Sequence, residues 1–107
     1  MDARQIYAAL FDPRGSVGAP SGEWRYIGDG EILDESLLRT FLAGSISSPK
    51  AFIAISRHEA HHVRREALYG LALSLLSHGD VRIADSDLRH FVELSRLGVA
   101  RTWRRDA

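Results

Sequence analysis

The sequence predicts an α+β domain, a small sheet of three or four short strands with about four helices packed on it. Three observations carry that prediction. Apolar residues recur at helical spacing after Asp or Ser starts and before glycine stops, short β-branched or aromatic runs stand between those stretches, and 107 residues suit one domain with one core.

The elements follow in order. Ile6, Tyr7, Leu10 and Phe11 repeat at helical spacing behind Asp2, which can accept from the free N–H groups of a first turn, so a helix is expected over 2–11. Asp12 to Gly22 is a loop, because its prolines and glycines interrupt both regular structures. Trp24 to Ile27 reads as a short strand entering the turn Gly28-Asp29-Gly30. Asp34 precedes Leu37, Leu38, Phe41 and Leu42, and Gly44 follows them, the composition of a capped helix with a glycine stop. After Ser47-Ser48-Pro49, the run Ala51 to Ile55 has the continuous apolar character of a buried strand.

The longest helix is expected from Ser56 to Gly79, because Ser56 and Glu59 match a capping box and strong helix formers follow. Val81 to Ala84 alternates as a strand. Asp85-Ser86-Asp87 can cap a last helix carrying Leu88, Phe91, Val92 and Leu94 or Leu97, stopped by Gly98. Val99 to Trp103 is an edge strand, and Arg104 to Ala107 frays.

Composition bounds the chemistry. The chain has no cysteine, so neither disulfides nor thiolate ligands nor a cysteine nucleophile are available. No apolar run reaches the ~18 residues that span a bilayer, and Met1 to Arg4 does not open an export signal, so a soluble, cytoplasmic protein without membrane contact is expected. Fourteen acidic groups balance fourteen basic ones, but residues 1–48 hold seven acids against four bases, and the remainder ten bases against seven acids. The Arg-rich tail Arg101, Trp103, Arg104 and Arg105 can contact phosphate, yet overall neutrality lowers direct nucleic-acid binding to an alternative.

One stretch has the spacing of an enzyme motif. His58-Glu59-Ala60-His61-His62 satisfies H-E-x-x-H, in which two histidines on one helical face hold zinc and the glutamate is general base on the bound water. Chance alone yields roughly one such match per hundred chains of this composition. Arg57, Arg64 and Arg65 surround the motif with positive charge that opposes a cation. A zinc hydrolase built on His58 and His62 with Glu59 as base is therefore the lesser reading; no enzyme activity, cofactor or metal is expected. Two acidic groups, Asp29, Glu31, Asp34 and Glu35, then Asp80, Asp85 and Asp87, are the candidate partner-binding residues, since complementary charge raises association rate and specificity.

The stretch from Gly79 to Leu94, GDVRIADSDLRHFVEL, together with the small single-domain size, resembles small bacterial immunity proteins of contact-dependent growth-inhibition systems. That resemblance implies a non-catalytic protein that binds and neutralises the toxin domain of its own system, in some cases a nuclease, inside the producing cell. It assigns no functional residue. The neutral charge departs from the acidic character of many nuclease inhibitors.

Overall fold

A computed structural model describes residues 2–11, 25–26 and 34–104. Among them are three helices and a six-stranded sheet: α1 (Ala3–Phe11), β1 (Arg25–Tyr26), α2 (Glu35–Ser45), β2 (Lys50–Ser56), β3 (Glu59–Arg64), α3 (Arg65–Leu76), β4 (Val81–Asp85), β5 (His90–Ser95) and β6 (Val99–Arg104). The α+β class holds, with more strands and fewer helices than the expected three or four and about four. The strand order is β1-β6-β5-β4-β2-β3, and every neighbouring pair is antiparallel. β3 and β4 both flank β2, so α3 is the crossover that carries the chain over β2 from the outer edge to the sheet interior.

Two expected helices are corrected. The helix from Ser56 to Gly79 begins only at Arg65; its first third is instead a turn and the edge strand β3. Ser56 does accept from the N–H groups two and three residues on, as a cap would. Its hydroxyl takes the His58 and Glu59 N–H groups at 3.2 and 3.1 Å, but the chain then doubles back on β2, whose buried backbone needs a partner. The helix proper starts with no side-chain cap, its Arg65 N–H donating to the Pro49 carbonyl at 2.8 Å.

The last expected helix is β5 and the turn to β6. Phe91 to Ser95 are all buried, because α2 and α1 lie on opposite faces of this sheet and a strand covered on both sides shows no alternation to read. Gly98 does end the segment, with φ of 94°, as part of a turn in which its N–H donates to Ser95. β6 is flanked by β5 and β1 and is not an edge.

The remaining elements match. α1 and the strands β2 and β4 fall where spacing put them, and Asp34 caps α2 through the Leu37 N–H at 3.1 Å. At α1, Asp2 and Gln5 exchange side-chain bonds with each other's N–H at 2.9 Å, a capping box the sequence carries in plain view. The expected strand at 24–27 is described only as the backbone pairing of Arg25 and Tyr26 with Ala100 and Val99. The expected Asp12 to Gly22 loop, 28–30 turn and fraying after Arg104 lie outside the described residues, while Arg104 itself, expected to fray, closes β6 because it pairs with His90.

The sheet divides the core in two. One layer joins α2 and α3 to Ile53, Val81, Ile83, Val92 and Leu94. The other joins Ile6 and Leu10 of α1 to Phe52, Ala60, Phe91 and Trp103, with Phe91 and Trp103 rings stacked at 5.5 Å. Cβ alternation along each strand sends successive residues to opposite layers.

Candidate functional site

The H-E-x-x-H residues do not meet on a helical face. Arg57 and the exposed His58 form the β2–β3 turn, and along β3 Glu59 and His61 point to one face while Ala60 and His62 point to the other. His61 Nε2 lies 3.4 Å from Glu59 Oε1, and the His62 ring stacks on Phe52 with centroids 4.5 Å apart. Glu59 is thus on the opposite face of the sheet from His62, the ligand whose water it would activate. The expectation of a helix over these residues is wrong because the partner demand of β2 overrides helix propensity. Among the described residues no group of three His, Asp or Glu converges as a metal set.

The acidic groups are distributed by their local duties. Asp29 and Glu31 lie outside the described residues. Asp34 is spent on the α2 cap, and Glu35 is exposed in its first turn, where a carboxylate favours the helix dipole. Asp80 and Asp85 stand at opposite ends of β4, roughly 16 Å apart at ~3.3 Å per residue. Asp80 accepts from the Arg96 N–H at 3.2 Å and holds the β5–β6 turn. Residues 80, 85 and 87 therefore do not form one acidic patch.

Asp85 is the informative member. It is buried at the end of β4 while Asp87 is exposed in the following turn. One Asp85 oxygen accepts the N–H groups of Arg89 and His90 at 3.0 and 3.4 Å, and the other meets His90 Nδ1 at 2.9 Å. Burial pushes the carboxyl up, but the Arg89 N–H, the His90 ring and N–H and the charge of His90 outweigh it, holding Asp85 below the ordinary aspartate value. An ionised Asp85 needs hydrogen on Nδ1, which leaves Nε2 as the other ring nitrogen for ligands or proton transfer.

The turn between them is strained and anchored. Leu88 has φ of 56°, in the left-handed region that costs a branched side chain about 1–2 kcal/mol. Its side chain packs on the α1 layer and its N–H donates to the Asp85 carbonyl at 3.0 Å, so burial offsets the strain. Beside this turn lies a cavity of about 340 Å³ lined by Gly44 and Ser45 at the end of α2, His90 and Phe91 of β5, and Thr102, Trp103 and Arg104 of β6. His90 is thereby a half-buried ring held by Asp85 at a cavity wall. Only the hairpin register, which sets Ala84 opposite Phe91, brings it to Asp85.

A second polar cluster crosses the other face. Arg82, Glu93 and Arg101 are direct neighbours across β4, β5 and β6. Arg82 Nε donates to Glu93 Oε2 at 3.1 Å, and Arg101 donates to Oε1 from Nε at 2.8 Å and Nη2 at 2.7 Å. Arg82 Nη1 also reaches the Leu10 carbonyl at 2.9 Å, with its guanidinium 4.6 Å from the Phe11 ring and 5.5 Å from the Trp103 ring. The row ties the end of α1 to the sheet. Arg101 and Trp103, assigned from sequence to a basic tail, belong to this packed layer.

A third feature lies between α2 and α3, where Arg39, Leu42 and Ala43 face Arg65, Leu68 and Tyr69 around a cavity of about 120 Å³. Both helices present the same spacing, an arginine followed three residues later by a leucine. No protein-family model, curated protein or solved structure was found to match the chain.

Proposed function

We propose that the chain is a non-catalytic protein-binding domain that serves as the immunity protein of a bacterial toxin system, neutralising a toxin domain made by the same cell. The reading is carried by the β4–β5 turn. Asp85 ties residues 85–90 into a preorganised loop through three hydrogen bonds, and that loop presents Asp87, Arg89 and His90 beside the cavity that Ser45, Thr102 and Arg104 complete. A turn ordered before encounter spares the ordering cost of association, which is what a tight, fast inhibitor needs. Its mixed charge suits a partner surface carrying both signs, in keeping with the neutral chain. The turn also falls inside the stretch that resembles immunity proteins.

The test is co-expression with the product of the gene immediately upstream. The expected result is a complex that survives gel filtration at micromolar concentration, weakened about tenfold or more by the pair Asp87→Arg and Arg104→Glu if these are anchoring charges. A toxin that stays active with no complex at that concentration removes the proposal.

A further inference from the structure

The α2–α3 cleft has an excess of hydrogen-bond donors that its own walls do not use. Arg39 and Arg65 each carry five guanidinium N–H donors, and neither makes an ion pair with a carboxylate among the described residues, although Glu35 lies one turn before Arg39 and Glu66 follows Arg65. The Arg39 guanidinium sits 4.2 Å from the centroid of the Tyr69 ring. The Tyr69 hydroxyl is buried and has no hydrogen-bond partner, the one such side-chain atom among the described residues. A buried polar group left unsatisfied costs stability, and Tyr69 lines the cleft, so an acceptor that enters far enough to reach the hydroxyl gains from it. The floor is apolar, made by Leu42 and Leu68.

From two guanidiniums that have no carboxylate partner among the described residues, an aromatic wall and an unsatisfied hydroxyl on that wall's residue, we infer that this cleft receives the carboxylate of one acidic side chain of a protein partner, an inference that rests on the protein-binding reading above. Size selects the occupant. At about 120 Å³ the cleft is well below the ~300–1,000 Å³ of pockets that enclose a whole small molecule, but it admits a single acidic headgroup as an anchor. Arginine pairs suit a planar carboxylate because each guanidinium can donate two parallel bonds to it.

The experiment titrates the folded protein with N-acetylglutamate N-methylamide, its glutamine counterpart and inorganic phosphate, following the arginine Nε–H resonances by NMR. Saturable shifts of Arg39 and Arg65 with the glutamate probe alone are expected, with a dissociation constant on the order of 1 mM. The double variant Arg39→Gln, Arg65→Gln abolishes them, and Tyr69→Phe, which keeps the ring, weakens them severalfold. Equal shifts with the glutamine probe, or tighter binding of phosphate, overturn the inference. The toxin complex supplies the second arm. If the double variant binds the toxin as tightly as the native chain does, the cleft assignment falls and the protein-binding reading stands; if no toxin binds while the glutamate probe does, the immunity reading falls and the cleft keeps only its carboxylate specificity.

Discussion

The two faces of the sheet solve the same packing problem with different materials. Beneath α2 and α3 the layer is aliphatic, with Ile53, Ile83, Val81, Val92 and Leu94 fully enclosed. Beneath α1 it is aromatic at one side and ionic at the other, where Arg82, Glu93 and Arg101 stand in a row. An aliphatic layer has no bonding geometry to satisfy, so it holds helices by area alone. The ionic row is geometrically exacting, since each charge removed from water must keep its partner or become a liability. The difference explains why α1, only nine residues long, is fastened by the Arg82 bond to its last turn as well as by Ile6 and Leu10.

The comparison breaks most sharply at Glu93. Replacing it with Ala removes the carboxylate that both Arg82 and Arg101 pair with, and denaturant unfolding should show a loss of about 3–5 kcal/mol. Replacing all three with Arg82→Met, Glu93→Leu and Arg101→Met should recover most of that loss, since no unpaired charge remains. On the aliphatic face, Ile53→Ala opens a cavity at a fully buried site, and the same measurement should show about 2–5 kcal/mol. A triple variant weaker than Glu93→Ala would mean that the row does more than satisfy its own charges.

The Asp85 turn sits between these extremes and is read by pH. Its folded-state carboxyl is held below the unfolded value, so the turn's contribution is present above the unfolded value and is lost as pH falls through the folded one. Asp85→Asn should flatten the acid limb of the stability curve in thermal melts and cost about 1–3 kcal/mol near neutral pH through the lost hydrogen bonds. Asp34→Ala, which removes only the α2 cap, should cost about 1 kcal/mol. Leu97→Ser, at a residue three-quarters exposed in the β5–β6 turn, should change stability by less than about 0.5 kcal/mol.

The candidate surfaces were less legible than the fold. Asp85 was visible among the acidic residues, but its burial and its bond to His90 depend on a hairpin that the helical spacing of Phe91 and Leu94 concealed. Arg39 and Tyr69 lie thirty residues apart and carry no shared motif; only the packing of α2 on α3 brings them together.

Sequence alone determined the elements whose signals are local: the Asp2 and Asp34 caps, the spacing of α1 and α2, and the short apolar runs of β2 and β4. These rest on bonds between residues a few positions apart. Tertiary structure alone decided β3 and β5, because the first is set by the need of β2 for a partner and the second is covered on both faces. The same decision dispersed the H-E-x-x-H residues, since a period of two sends Glu59 and His62 to opposite sides where a helix would have kept the histidines together.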